Sequence, residues 1–260
     1  MAPITRIPSV ELRRLRGLAF DLDDTFLDHG LLLTNALDAL YRLKSAGFEL
    51  FAVTGRPASW GAVVAHQWPL NGAVTENGAI SFYRDGQRIR VRDPLGVEER
   101  ARRRATLLQI VDELRRRFPE LVPADDVSGR ISDFTFDIGE HQRVAPERVR
   151  EVRGAAESLG AAVTTSSVHL HVSLDRADKA SGFVRLAQSL SGVDPAVAVS
   201  SYAFIGDSEN DAACFASFRV SVGVANLSGR PTVAPRYRTD GARAAGFVEL
   251  ADLLIASRGS

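Results

Sequence analysis

The sequence has little of what staples secreted folds or anchors chains in membranes. Its 260 residues include one cysteine, Cys214, which excludes an internal disulfide and suits a reducing, cytoplasmic setting. The surrounding Ala212-Ala213-Cys214-Phe215 reads as a packed helix face, with the thiol acting as a small apolar group. Charge of either sign is not in excess: Lys+Arg and Asp+Glu each number 32, so no overall field draws nucleic acid or an acidic membrane. No long apolar run follows the first charged residues, so neither a secretory signal nor a membrane span is expected. Internal repeats and low-complexity segments are also missing. What remains is ordinary: 45% hydrophobic and 25% charged residues, the balance of a soluble protein with one large domain or two smaller ones.

Against that plain background, Gly17-Leu18-Ala19-Phe20 runs straight into Asp21-Leu22-Asp23-Asp24-Thr25. A short apolar run ending in acids reads as a central strand of a parallel sheet. Open α/β sheets place their chemistry at the carboxyl ends of such strands. A chain turning off the strand can bring Asp21 and Asp23 to one site, as nucleophile or metal ligand and as proton donor. Alone, the run reads equally well as an acidic surface turn.

Three later segments add weight. Val53-Thr54-Gly55-Arg56 ends a second apolar stretch; its hydroxyl and unobstructed N–H can meet a phosphate oxygen, although Thr-Gly is also an ordinary turn. Asp178-Lys179-Ala180-Ser181-Gly182 opens a helical pattern, and a lysine in a first helical turn, disfavoured by the dipole, calls for an anion. A lone lysine there is otherwise a solvated one. Tyr202 to Ile205 then repeats the opening design, ending in Gly206-Asp207-Ser208-Glu209-Asn210-Asp211. Carboxylate oxygens with positions left for water are what Mg²⁺ prefers.

Periodicity locates two units. A helix near Ala36–Ala46 stopped by Gly47, a strand Phe48–Val53, a helix after Pro57 and a strand Ala73–Thr75 give βαβαβ order and a doubly wound parallel sheet. The pattern then changes. Ile80–Tyr83 and Arg88–Val91 flank Asp85-Gly86 as a hairpin. A long helix over Val97–Phe118, a strand at Phe134–Ile138, a helix over Pro146–Leu159 and β-rich runs at Ala161–Thr165 and Val168–Leu174 follow. This is an α+β insert at about 82–176, with the α/β core formed by 1–81 and 177–260.

The four motifs, in this order, resemble those of the haloacid dehalogenase-like hydrolase superfamily, over nearly the whole chain. Asp21-Leu22-Asp23-Asp24-Thr25 matches the first motif, Thr54 the second, Lys179 the third and Gly206-Asp207-Ser208-Glu209-Asn210-Asp211 the fourth. Asp24 departs from the glycine common in the closest subgroup. The insert and the hinge-like Thr75-Glu76-Asn77-Gly78-Ala79 are similar to the type IIB cap subgroup, which holds Cof-like proteins and phosphatases of trehalose, sucrose and mannosylglycerate phosphates. Phosphomannomutases share that cap. The resemblance implies a Rossmann-like α/β core and a Mg²⁺-dependent phosphomonoesterase of a small phosphorylated metabolite, a sugar phosphate or its derivative, in the cytoplasm. It implies Asp21 as nucleophile and Asp23 as acid and base. Mg²⁺ would be held by Asp21, the Asp23 carbonyl and Asp207, supported by Asp211 and Asn210. Thr54, Gly55, Lys179 and Asn210 would hold phosphate.

Specificity is expected from the insert. Arg56 and Asn77, at its junction, are candidates for the leaving group; each also reads plainly, as a surface charge and a turn asparagine. Alternation puts His169, His171 and Ser173 on one strand face; substrate contact is expected of His171 and, less, of His169. Arg130 is a candidate for a second anionic group. Arg102-Arg103-Arg104 and Arg115-Arg116-Arg117 offer a rival nucleic-acid reading, but Glu98, Glu99, Asp112 and Glu113 dilute the charge and no aromatic platform accompanies it. The same motifs would also serve a phosphosugar mutase, or persist in a relative that has lost catalysis. Whether the chain is a monomer or a homodimer is open.

Overall fold

The computed structural model describes residues 1–258 apart from 167, 228 and 230. A two-residue strand β1 (Ala2–Pro3) and helix α1 (Ser9–Arg14) lead into strand β2 (Gly17–Phe20), helix α2 (Thr34–Ser45), β3 (Glu49–Val53), α3 (Ala58–Gln67) and β4 (Gly72–Thr75). The hairpin β5 (Ile80–Asp85) and β6 (Arg88–Arg92) precedes α4 (Val97–Arg117), β7 (Asp133–Asp137), α5 (Pro146–Ser158), β8 (Ala162–Thr165) and β9 (His169–Ser173). Helices α6 (Lys179–Ser191) and α7 (Pro195–Ser201), strand β10 (Tyr202–Gly206), α8 (Ala212–Ser217), β11 (Val220–Gly223), β12 (Tyr237–Arg238) and α9 (Arg243–Ala256) complete the described chain.

The larger sheet has the order β1-β12-β11-β10-β2-β3-β4-β5-β6. It is parallel from β1 through β4 and antiparallel at β5 and β6. Strand β2 is buried throughout, which explains its unbroken apolar run. Leu18 and Phe20 pack with α2 and α9, while Ala19 packs with α6 and α8. From β2 the chain winds outward to β3 and β4, and on its return fills the other side with β10 and β11. The β2/β10 boundary is therefore the switch point, where such sheets open a crevice at the strands' carboxyl ends. Both acidic motifs sit there.

One expectation is corrected. The Asp85-Gly86 hairpin forms as read, but it extends the larger sheet by pairing with β4, instead of joining the sheet of the insert. Alternation made a hairpin legible; its partner strand lies outside the local pattern that reveals it. The insert's own sheet is three-stranded and antiparallel, in the order β7-β9-β8. One face packs on α4 and α5 through Leu107, Val111, Leu114, Val152 and Ala156 against Phe136, Leu170 and Val172. The alternate residues of β9 occupy the opposite face.

Most arginines of helix α4 are paired, within the helix or with the rest of the insert. Arg102 and Arg103 pair with Glu99, Arg103 also with Asp175, Arg116 and Arg117 with Glu113, and Arg104 donates to the Asp133 carbonyl. Cys214 is buried on α8, and its burial pushes the thiol pKa up. No helix among the described residues is long and apolar enough to cross a membrane.

Candidate active site

Four loops meet at the carboxyl edge of β2, β3 and β10. After β2 the chain makes a five-residue turn closed by Leu27 N–H donating to Leu22 O at 2.7 Å. Asp24 takes a left-handed φ of 54° inside it. A glycine would adopt that conformation without strain. Here Arg243 Nε, from the start of α9, donates to Asp24 Oδ1 at 3.0 Å, and Asn226 Nδ2 donates to the Asp24 carbonyl. The turn brings Asp21 and Asp23 to the wall of one cavity.

Lys179 begins α6, whose first turn is fixed by a reciprocal cap between Asp178 and Ser181. Its side chain is fully buried and its Nζ donates to Asp21 Oδ1 at 2.7 Å, Asn210 Oδ1 at 3.0 Å and Asp211 Oδ1 at 2.6 Å. Burial works against its charge, but Asp21 and Asp211 outweigh burial and raise its pKa. The other oxygen of Asp211, Oδ2, accepts from the N–H groups of Asp207 and Ser208 at 2.9 and 3.1 Å. Gly206 is required by this arrangement, because a Cβ there would stand 2.3 Å from Asp211 Oδ2.

Oxygens of Asp21, Asp207 and Asp211 lie within 4.8 Å of one another, all buried. Burial, with repulsion among these carboxylates, pushes Asp21 up to about 7 and Asp207 up to about 9. One lysine faces three acids, so the donor set is short of positive charge. Hard oxygen donors in that state fit a divalent cation such as Mg²⁺. Asp211 spends its oxygens on Lys179 and two N–H groups.

Thr54 is buried at the end of β3, and its Oγ1 accepts from Arg56 N–H at 3.1 Å. Gly55 lies beside Asn77 and Asn210, and its carbonyl accepts from Arg130 Nη1 at 3.0 Å. Arg56, expected at the leaving group, lines the cavity but spends its guanidinium on Asp23: Nε and Nη2 donate to the carboxylate at 2.6–3.0 Å. It also stacks 3.8 Å above the Trp60 ring. Asn77 has a φ of 53°, as a turn asparagine does, and bridges as well: its Oδ1 accepts from Asn210 Nδ2 at 3.3 Å, and its Nδ2 faces Thr164 Oγ1 at 3.5 Å.

His169 and His171 share one face of β9, with ring centroids 6.0 Å apart, and both line the cavity. His169 Nε2 lies 2.8 Å from Glu140 Oε2. His171 is buried; its Nδ1 sits between Asp133 Oδ2 at 3.1 Å and Thr135 Oγ1 at 3.2 Å, and burial lowers its pKa. Arg130 corrects an expectation. Its Nε and Nη2 donate to Asp126 at 2.9 Å, and its Nη1 to Asp133 at 3.0 Å as well as to Gly55 O. With its charge shared by two carboxylates and the side chain 1% exposed, it joins the insert to the Thr54 loop, although it also lines the cavity. Short-range sequence reading shows an arginine but not its partners.

Other members were missed. Buried Glu76, next to Asn77, accepts from Ala58 N–H, Ile131 N–H and the N–H and Oγ–H of Ser132. It thereby ties the insert to the start of α3. Nearby Gly78, at φ 108°, lets the hinge press on α6: a Cβ there would stand 2.0 Å from the Asp178 carbonyl. The Thr75–Ala79 run signals a hinge, but nothing local in it shows the partners of Glu76. Trp60, Asp125, Asp126 and Glu140 also line the cavity of about 160 Å³. Only Asp125 and Asp126 are neighbours in sequence, and no motif gathers the four.

Residues 18–103 match the family model of the haloacid dehalogenase-like hydrolases, and no curated protein matches the chain. Solved structures match widely. A Thermoplasma acidophilum protein, 0175, is 20% identical with a TM-score of 0.73, over 92% of this chain and 98% of that one. The trehalose-6-phosphate phosphatase C-terminal domain of C. albicans is 13% identical with a TM-score of 0.69, over 98% of both chains. The Synechocystis sucrose-phosphatase, solved with sucrose and phosphate, is 19% identical with a TM-score of 0.61, over 92% and 98%. At these identities the structural likeness is one of fold. Over residues 18–103 the chain is similar to the haloacid dehalogenase-like hydrolases, and its fold agrees with that likeness.

Proposed function

We propose that the protein is a divalent-metal-dependent phosphomonoesterase acting on a small phosphorylated metabolite, a sugar phosphate or a derivative. The observation that carries this reading is the excess of buried carboxylate around Lys179, with Asp21 and Asp23 on the wall of the same cavity. Two proteins of similar fold are named as phosphatases of sucrose phosphate and trehalose 6-phosphate. Buried Cys214 suits the cytoplasm.

In this reading Asp21 attacks phosphorus, the ester P–O bond breaks, and an aspartyl-phosphate forms. Asp23 gives its proton to the departing alkoxide, then takes one from the water that releases phosphate. Arg56 holds the Asp23 carboxylate toward the cavity, so the pair must loosen for Asp23 to carry its proton. Lys179, Thr54 and the Gly55 N–H steady the phosphoryl oxygens, and Asn210 and Asp211 keep Lys179 in place. Asp21, Asp207 and the Asp23 carbonyl would hold Mg²⁺, which when bound would supply the positive charge that offsets these acids toward a phosphate dianion. Residues 82–176 act as a cap whose closure excludes water and selects the substrate. Its hairpin is built onto the sheet of the core.

The test is phosphate release from a panel of sugar phosphates, phospho-acids and nucleotides, with Mg²⁺ or excess EDTA, beside Asp21→Asn. Metal-dependent release that vanishes in the variant supports the reading. Full release in EDTA, or from Asp21→Asn, contradicts it.

A further inference from the structure

The Thr54-Gly55-Arg56 loop is pinned through three successive carbonyls, and the middle one is pinned from the insert. Thr54 O accepts from Asn77 N–H at 3.1 Å and Arg56 O from Glu76 N–H at 3.0 Å, both donors belonging to the hinge. Between them, Gly55 O accepts from Arg130 Nη1 at 3.0 Å. The N–H of the same peptide unit, that of Arg56, donates to Thr54 Oγ1 at 3.1 Å. A hydroxyl has one hydrogen and two lone pairs, so a lone pair given to that N–H turns the Thr54 hydrogen elsewhere. A charged donor on the carbonyl also strengthens the N–H of its own peptide. The segment that carries Arg130 is itself seated on the core. Ile131 and Ser132 N–H groups donate to buried Glu76, and a Cβ at Gly129 would stand 2.2 Å from Ser59 Oγ on α3. Asp126 and Asp133 grip the guanidinium from the insert side, so it travels with the insert and not with the loop.

We propose that Arg130 is a positioning residue for the phosphoryl group: by bonding the Gly55 carbonyl it sets the 55–56 peptide, and through it the direction of the Thr54 hydroxyl. This rests on the phosphatase reading and deepens it, since the phosphate cradle is then complete only while the insert is seated on the core. Arg130 also reaches the cavity wall, and direct contact with substrate would leave a different mark. A guanidinium that touched the alcohol part would matter for some esters and not for others. One that shapes the loop matters alike for every ester, and for inorganic phosphate, which has no alcohol part at all.

Arg130→Met alone would strand two buried acids, so the experiment uses the full-length double variant Arg130→Met/Asp126→Asn, read against Asp126→Asn. Val152→Ala serves as a control that loosens the insert through its own apolar core. With Mg²⁺, kcat/KM is measured for p-nitrophenyl phosphate and for the best-cleaved sugar phosphate of the panel, and the inhibition constant for inorganic phosphate. Expected in the double variant is a loss of at least tenfold on all three, alike within threefold, and a change under threefold in Val152→Ala. A loss confined to the sugar phosphate, or one matched by Val152→Ala, overturns the inference. Hydrogen exchange followed by NMR judges the link without catalysis. The Arg56 amide is read against the Thr54 amide, which donates to Val74 O at 2.8 Å inside the sheet, so that a global loss of stability cancels. The ratio of their exchange rates should rise at least fivefold in the double variant, and an unmoved ratio overturns the inference even where activity falls. Should wild type release no more phosphate than Asp21→Asn, the parent reading fails, and the exchange ratio alone decides whether Arg130 sets the loop.

Discussion

Charge is buried in two neighbouring places, and the two clusters are built to opposite ends. Beside β2 and β10, Asp21, Asp207 and Asp211 surround the single cation Lys179. In the insert, Asp133 and Asp126 surround Arg130, with His171 and Thr135 filling the remaining positions. Burial raises the carboxylate pKa in both. In the first cluster burial and mutual repulsion win, and Asp21 and Asp207 rise to about 7 and about 9. In the second, Arg130 and His171 outweigh burial and hold Asp133 below its ordinary value. Buried charge alone therefore does not mark a chemical site. On the proposed reading the larger excess, three acids around one lysine, is what a divalent cation would offset.

Substitutions sharpen this contrast. The largest effect expected is on activity: Asp21→Asn lowers phosphate release by at least about 10⁴-fold, as loss of a covalent nucleophile does, while circular dichroism shows the fold retained. A variant that keeps a tenth of wild-type activity breaks the comparison. In the balanced cluster the matching change acts on stability. Asp133→Asn leaves the buried guanidinium of Arg130 short of its inner partner and costs about 3 kcal/mol in urea denaturation, and a loss well under 1 kcal/mol would show that cluster to be dispensable. Glu76→Gln follows at about 1–3 kcal/mol, since a neutral amide replaces an acceptor that serves several N–H groups; the same denaturation series measures it.

Acid separates the clusters as well. Asp133 has a folded pKa below its ordinary 3.8, so its contribution is present above 3.8 and is lost as pH falls through the lowered value. His171 is lowered from 6.5, so below 6.5 the unfolded chain binds its proton first and stability declines. Both push the same way. Below pH 6.5 Asp21, Asp207 and Glu76, all raised on folding, push the other way, so the contrast is read as a difference: the melting temperature of wild type relative to His171→Gln should fall as pH drops below 6.5. An identical slope in the variant would remove His171 from the account. Smallest is Asp24→Gly: relief of about 1 kcal/mol of left-handed strain is offset by loss of the partly exposed Arg243 pair, worth about 0–1 kcal/mol. A shift in unfolding free energy much above 1 kcal/mol would show one of those terms to be misjudged.

The unbalanced cluster was largely legible in the sequence and the balanced one was not, for a physical reason. Asp21, Asp23, Lys179 and Asp207 each stand where an apolar strand ends or a helix begins, so local pattern fixes their place in an α/β sheet, and the topology gathers them. The motif order supplied the rest. Arg130, Asp126 and Asp133 lie close in sequence, yet nothing local tells that Asp133 starts a strand facing His171 or that Gly55 accepts from Arg130. Arg56 was legible as a junction residue and not as the partner of Asp23. Glu76 was passed over because its five-residue hinge shows an acid in a turn, while its partners in the insert lie 55 or more positions away. Strand pairing of the β5–β6 hairpin failed similarly: alternation identifies a hairpin, not its neighbour.

The claim that an excess of buried carboxylate marks the site is tested most directly by thermal melting of wild type and Asp207→Asn with and without Mg²⁺. At a hundred times its dissociation constant a ligand bound only to the native state stabilises by about 2.7 kcal/mol. The account predicts a Mg²⁺-dependent rise of that order in wild type and little or none in Asp207→Asn. An equal rise in both proteins, or no rise in wild type, would contradict it.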